Sequence, residues 1–212
     1  MVVVQRTHLL DHDRRWVPAA ARLGRLMLGR TLPRLAGREI ALADVSAREE
    51  GALVTVHGVI EAQEPLRGVL VEADGVYRRL VFDLGVFGGR WVHEAATDFA
   101  LVGARGERVL VRGGGARWLV LPREPLDYPA VRFDRDGVAA DVRERVRASG
   151  RATIDAFEQV LEPGTRVQVV GYKTTSPDAS GEVTDYRSPP MRATLRSGQE
   201  RPLVITRVAD LG

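Results

Sequence analysis

The sequence predicts a mostly β protein with accessory helices, in which an antiparallel barrel-like or sandwich body carries two helical segments. Three observations support this fold class. Short β-branched runs separated by glycines follow one another from residue 38 to residue 133, which is typical of all-β sandwiches and barrels. The dipeptide Asp74-Gly75 between two such runs is a strong hairpin signal. Apolar residues with helical spacing occur near residue 16 and within residues 138–161.

The alternating and β-branched runs predict the strands directly. We expect one β-rich domain over residues 38–212, with one compact core. Serine, threonine, glycine and a Pro-Pro pair predict a long exposed loop over residues 174–190. The predicted strands are residues 53–60, 69–73, 76–82, 90–94, 99–102, 108–112, 117–121, 167–170, 191–195 and 203–206.

The amino-terminal segment, residues 1–37, is predicted to contain an amphipathic helix that begins near Trp16 and ends before Pro33. We treat it as a candidate interaction face, which the body of the protein, a second protein or an anionic lipid surface could cover. Its apolar face holds Trp16, Ala20, Leu23 and Met27, and its basic face holds Arg15, Arg22 and Arg25.

A helical insert is predicted over residues 138–161. Val138, Val142 and Val146 recur at intervals of four and should face the β-rich body. Gly150 interrupts this pattern, and Ile154, Phe157 and Leu161 resume it. Pro163-Gly164 should end the helix and lead into the next strand, because proline cannot continue the helical hydrogen bonds.

Composition excludes several classes of site. The chain has no cysteine, which rules out disulfides, iron–sulfur clusters, thiolate zinc sites and cysteine nucleophiles. The net charge is only +3, so the basic residues do not by themselves predict nucleic-acid binding. No apolar run is long enough to span a membrane, and no basic-then-apolar leader is present. We therefore expect a soluble cytoplasmic protein.

The metal and phosphate patterns are incomplete. His8 and His12 have the i, i+4 spacing of a helical metal clip but no evident third ligand. The acidic run that begins at Asp134 has its glycine, Gly137, at the wrong place for a calcium loop. The glycines 113–115 lack the Gly-Lys-Ser/Thr ending of a phosphate loop and predict a hairpin loop. No metal or cofactor is predicted.

Catalytic patterns are also missing from the sequence. His57 and His93 fall in predicted strands, where packing is the expected role, and no spacing links either one to a serine and an aspartate. There is no Gly-x-Ser-x-Gly nucleophile elbow. The sequence therefore predicts a protein that is not an enzyme.

Four stretches resemble the GIDE domain of mitochondrial RING-type ubiquitin ligases and its bacterial relatives. Residues 53–61 resemble the family's opening strand, ending in a turn at Gly58, and residues 77–83 resemble its Arg-Arg-Leu strand. Residues 98–111 resemble its glycine-containing hairpin, and residues 157–171 its helix-to-strand passage through Pro-Gly. The resemblance covers residues 50–208 and implies a β-barrel-like module whose family role is mostly protein recognition.

Ubiquitin-ligase activity does not follow from this resemblance. The chain has no cysteine with which a RING could hold zinc, and it lacks the transmembrane helices that usually flank the domain.

The sequence thus favours a non-catalytic protein-interaction or assembly module that binds a protein partner or a second copy of itself. The first alternative is an oligonucleotide-binding barrel, with aromatic residues of the strands stacking on bases beside arginines. The second alternative is an enzyme of unrecognised type, which would show a deep pocket of polar groups with perturbed pKa values. The aromatic residues considered for stacking are Tyr77, Phe82, Trp91 and Trp118.

Overall fold

The computed structural model describes residues 4–9, 38–86, 88–119, 126–135, 137–177, 191–199 and 201–208. Within these residues the protein is mostly β. The helical elements are α1 (Ala140–Ser149) and the 3-10 turns Leu42–Asp44 and Ala130–Asp134. The strands are β1 (Val4–Leu9), β2 (Arg38–Glu39), β3 (Leu53–Glu61), β4 (Leu66–Arg67), β5 (Asp74–Gly75), β6 (Tyr77–Asp83), β7 (Arg90–Ala96), β8 (Phe99–Val102), β9 (Arg108–Val111), β10 (Arg117–Leu119), β11 (Leu126–Pro129), β12 (Thr153–Leu161), β13 (Arg166–Pro177), β14 (Met191–Arg196) and β15 (Val204–Arg207).

Five strands close into a barrel in the order β3-β8-β9-β14-β13, with β13 pairing back to β3. In chain order this is 1-2-3-5-4, and the third and fifth strands, β9 and β14, run parallel. The other pairings within the barrel are antiparallel. A closed Greek-key barrel of this order is the arrangement of OB-type barrels. The predicted barrel is therefore present, with one parallel pairing that its closure requires.

Inward side chains of the barrel strands form the larger hydrophobic core. On β3 the inward positions are Val54, Val56, Gly58 and Ile60, which alternate with outward ones. The family resemblance implied a turn at Gly58, but this residue lies within β3, as the predicted strand over residues 53–60 had it. A Cβ there would lie 2.6 Å from Cγ of Leu101, so the glycine makes room for that leucine in the barrel interior.

A second sheet has the order β1-β7-β6-β12-β11, with antiparallel pairing throughout. One of its faces contacts α1, where Leu80, Phe82 and Ile154 pack with the valines of the helix. Val138, Val142 and Val146 are all buried, which confirms that they face the β-rich body.

Two main hydrophobic cores result, so the expectation of a single core is wrong. One fills the barrel and the other lies between the second sheet and α1. The ends of β6, β7 and β12 contribute Tyr77, Ala96 and Leu161 to the barrel core. Tyr77 also stacks on Trp118 of β10, with ring centroids 4.4 Å apart. The two sheets are therefore joined by packing at this end of the second sheet.

The predicted helix over residues 138–161 is only partly correct. Residues 140–149 form α1, which ends where Gly150 adopts a left-handed φ of 65°. Residues 153–161 form β12, a central strand of the second sheet. Both faces of this strand are buried, so its apolar residues do not alternate and their spacing resembles that of a helix.

The turn at residues 162–165 joins two strands. The sequence predicted that Pro163-Gly164 would end a helix, but the element before it is β12. The rest of the prediction is confirmed, since no helix runs through residues 162–166 and β13 begins at Arg166. Gly164 supplies the turn with a φ of 83°.

The expected hairpin turn at Asp74-Gly75 is wrong. These two residues form β5, which pairs with β4. A Cβ on Gly75 would lie 2.4 Å from Val160, so close packing requires glycine here. The predicted strand over residues 69–73 is instead a loop, whose backbone N–H groups at Val69, Leu70 and Val71 donate to the Glu158 carboxylate.

The remaining predictions fall partly outside the described residues. The amino-terminal segment opens with a strand, β1, which pairs with β7. The predicted helix of residues 16–32 lies outside the described residues. The loop predicted over residues 174–190 is wrong at its start, because residues 174–177 belong to β13 and pair with β14, and its remaining residues are outside the described ranges. Across the described part of the chain, every helix is too short or too polar to cross a bilayer.

Candidate functional site

The outer side of β3 forms the floor of an open cleft of about 520 Å³, which we call the β3 groove. Because side chains alternate along a strand, His57, Val59 and Glu61 all point out of the barrel onto this floor. The turn after β8 forms one wall, and the turn that leads into β13 forms the other. The wall residues are Val102, Gly103, Ala104, Pro163 and Arg166.

A row of paired residues runs over four strands of the barrel, and the members on three of these strands line the groove. Val59 is the register partner of Arg166 on β13 and of Val102 on β8. Val102 in turn is paired with Arg108 on β9. Val59 is 38% exposed, which is high for a valine in the middle of a sheet. The groove therefore presents an apolar centre, Val59 and Val102, with Arg166 beside it.

The two arginines of this row differ in their partners. Arg108 makes two hydrogen bonds to the Glu61 carboxylate, with N–O distances of 3.1 and 3.0 Å. These bonds lower the pKa of the Glu61 carboxyl. Arg166 is exposed and makes no ion pair with any residue that the structure describes. The groove therefore offers one unpaired cation beside an exposed apolar side chain.

A second cleft of about 510 Å³ adjoins the groove at His57. It lies between β3 and the segment that runs from Glu39 to Leu42. Nδ1 of His57 is 3.4 Å from a carboxylate oxygen of Glu39, and the Glu39 side chain is largely exposed. The residues lining the two clefts include no serine, threonine or cysteine that could act as a nucleophile beside this histidine.

His93 lies in the interior, on the face of the second sheet that contacts α1. Its Nδ1 is 2.8 Å from the hydroxyl oxygen of Thr7. Burial, followed by the nearby Arg78 cation, lowers the pKa of His93 to about 4. The imidazole is therefore neutral at pH 7. Since the ring is almost fully buried, this arrangement fits packing and does not favour general-base chemistry on a substrate.

The aromatic residues considered for base stacking are not displayed as a platform. Tyr77 and Phe82 are buried in the two cores. Trp118 stacks on Tyr77, and the guanidinium of Arg145 lies 3.7 Å above the Trp91 ring. Tyr77 and Phe82 are thus buried, and the half-buried Trp91 and Trp118 rings already have a packing partner, whereas a single-strand binding surface requires exposed rings.

The metal and phosphate patterns do not assemble into sites. Across the described ranges, no group of three histidine or acidic side chains could hold a metal ion. His8 belongs to β1 and not to a helix, and His12 lies outside the described residues. Asp134 forms an ion pair with Arg147.

The glycine-rich segment that starts at Gly113 connects β9 to β10, and these strands pair with different neighbours, so it is not the predicted hairpin loop. The N–H of Gly113 donates to Asp98.

The candidate interaction face of the sequence prediction, Trp16, Leu23 and Met27 with Arg15, Arg22 and Arg25, lies outside the described residues. The sequence placed His57 in a strand, with packing as its expected role, and did not identify Val59 or Arg166 as its neighbours. The only signal was the alternation along β3, in which Val59 is an apolar residue at an outward position. Comparison with known proteins gave no match to any family, curated protein or solved structure.

Proposed function

We propose that this chain is a non-catalytic protein-interaction module of a cytoplasmic complex, and that the β3 groove binds an extended peptide segment of a partner protein. The observation that carries this proposal is the row Arg166, Val59, Val102, which places an exposed apolar centre in a concave cleft. Interfaces of this kind derive most of their affinity from a few central side chains.

The charges of the groove suggest the kind of peptide. Arg108 is neutralised by Glu61, whereas Arg166 has no described ion-pair partner. A peptide with an apolar side chain over Val59 and a carboxylate beside Arg166 would satisfy both features. Arginine is well suited to this task because its planar guanidinium can bind a carboxylate through two parallel hydrogen bonds.

Peptides selected from a random display library on the purified full chain provide the test. Their affinity is measured by fluorescence polarisation for the unmodified protein and for Val59→Arg and Arg166→Glu. Each variant should weaken binding by about tenfold or more, because each removes one of the two features. Val131→Arg is a matched control, since Val131 is an exposed valine that does not line the groove. Selected peptides that bind Val59→Arg as tightly as the unmodified protein would falsify the proposal.

Oligonucleotide binding is the second candidate, and the strand order of the barrel favours it, since OB-type barrels often bind oligonucleotides. The packed aromatic rings argue against it. A titration with single-stranded DNA at two salt concentrations separates the two candidates, because phosphate contacts impose a steep salt dependence. Tight, salt-sensitive binding that is lost in Arg166→Glu would assign the groove to nucleic acid.

A further inference from the structure

The β3 groove continues into the second cleft at His57. This residue lines both clefts, and its side chain is 37% exposed. His57 and Val59 project from the same outer face of β3, two residues apart, so their positions lie roughly 7 Å from each other along the strand. The two clefts are therefore parts of one surface, and a ligand that covers Val59 also reaches His57 if it extends by two residues.

The pairing of β3 is interrupted where the two clefts meet. On the flank away from β13, β2 pairs as far as Thr55 and β8 pairs from Val59 onward. Among the residues that the structure describes, His57 has no strand partner on this flank. The N–H of Ile60 donates to Thr165 on the β13 flank, so by alternation the N–H and C=O of His57 point to the opposite flank, into this gap. An extended peptide that crosses the gap is placed to pair with the main chain of His57, as in strand addition.

The charged residues of the joined clefts are separated by sign. Glu39 lines the second cleft, and its side chain is 71% exposed. Arg166 lines the groove and makes no ion pair with any described residue. The other carboxylate that lines the clefts, Glu61, is already bonded to Arg108. The surface thus has an acidic end and a basic end, with the exposed side chain of Val59 between them.

The strand register gives the distance between the two ends. Glu39 is the partner of Thr55, which lies four residues before Val59, and Arg166 is the partner of Val59 on the other flank. Four residues along a strand and two strand spacings across it separate the backbones of Glu39 and Arg166 by roughly 16 Å. An extended peptide spans this distance with about five residues.

We propose that the peptide bound by the β3 groove continues past His57 into the second cleft and carries charges of both signs. A basic residue of the peptide pairs with Glu39, and an acidic residue about five positions away pairs with Arg166. An apolar residue between them covers Val59. This inference, which rests on the proposed function of the groove, adds a second and opposite charge to the partner. A polyanion such as single-stranded DNA matches only the Arg166 end and is repelled at Glu39.

Peptides selected from a random ten-residue display library on the purified full chain are the probes. They should share a lysine or arginine about five positions from an aspartate or glutamate. Replacing this basic residue by glutamine should weaken binding to the unmodified protein by about threefold, as expected for an exposed ion pair. Glu39→Gln should weaken the original peptides by the same factor, and should make the replacement in the peptide ineffective. Glu144→Gln is the matched control, since Glu144 is exposed on α1 and lines neither cleft.

The outcomes distinguish failure of this inference from failure of the proposed function. Peptides that depend on Val59 but bind Glu39→Gln as tightly as the unmodified protein would overturn the inference and leave the groove as a peptide site. Peptides that bind Glu39→Gln more tightly would place a negative group in the second cleft and would also overturn it. A selection that yields no peptide dependent on Val59 would overturn both.

Discussion

Two arginine–glutamate ion pairs lie in two regions of this protein that differ in burial, and the two pairs have different effects. Arg78 and Glu158 lie between the second sheet and α1, where the Glu158 side chain is 0% exposed. Arg108 and Glu61 lie on the outer surface of the barrel, where Glu61 lines the β3 groove and its side chain is 46% exposed. The buried pair fixes the path of the backbone, whereas the exposed pair sets the charge of a surface.

The buried carboxylate has an unusual set of partners. Glu158 accepts hydrogen bonds from the backbone N–H groups of Val69, Leu70 and Val71, at distances of 2.7 to 2.9 Å. Arg78 lies 3.8 Å from it and donates to the carbonyl oxygen of Arg67. Burial lowers the pKa of Arg78, and the Glu158 charge opposes that shift. This pair therefore holds the loop of residues 68–71 against the sheet.

The largest expected effect comes from the buried pair. Glu158→Gln keeps the size of the side chain but leaves Arg78 buried without a counter-charge, so the free energy of unfolding should fall by about 3–5 kcal/mol. Urea denaturation measures it. Glu61→Gln is the matched control and should change stability by about 1 kcal/mol or less. Equal losses of stability for the two variants would show that burial does not decide how much each ion pair stabilises the protein.

The second effect is acid destabilisation through His93. The pKa of this histidine is about 4 in the folded protein and its ordinary value is 6.5. The unfolded chain therefore binds the proton more readily. The contribution of the neutral His93 to the free energy of unfolding is complete above pH 6.5 and decreases as the pH falls towards 4. About 2 kcal/mol of this free energy is lost between pH 7 and pH 5. Urea denaturation at both pH values should show this loss, and His93→Gln should lose less over the same range.

A smaller effect is expected at Tyr77, where the carboxylate partner is intermediate in exposure. The hydroxyl of Tyr77 donates to Glu94 at 2.6 Å, and the Glu94 side chain is 34% exposed. Burial and the Glu94 charge raise the pKa of Tyr77 far above its ordinary value. Tyr77→Phe keeps the stack on Trp118, so the free energy of unfolding should fall by only about 1 kcal/mol. A loss of stability as large as that of Glu158→Gln would contradict the expectation that the loss is smaller where the carboxylate is more exposed.

The smallest effect on stability belongs to Arg108. Arg108→Gln should leave the free energy of unfolding almost unchanged, since an exposed pair gains little over its hydration. The pKa of the Glu61 carboxyl should rise towards its ordinary value, because the hydrogen bonds from Arg108 lower it. An NMR titration of Glu61 measures this change. If the Glu61 pKa does not move in Arg108→Gln, the pair does not form in solution.

The local sequence pattern was sufficient to predict most of the barrel strands and the helix α1. β3, β8, β9 and β14 lie where strands were predicted, and Gly150 marks the end of the helix. Only the first part of β13 was predicted, because its residues 174–177 have the polar composition of a loop. Local pattern failed at β12, because a strand buried on both faces loses its alternation. It also failed at Asp74-Gly75, where contacts with residues far along the chain decide the backbone conformation.

The sequence by itself determined that the protein is mostly β, that residues 53–60 form a strand, and that no cysteine chemistry is possible. Only the tertiary structure decided which strands are neighbours, and the candidate site depends on that. Val59 meets Arg166, more than a hundred residues along the chain, only because β13 closes the barrel against β3. Strand periodicity is a local property of side-chain direction, whereas strand pairing is set by packing over the whole barrel.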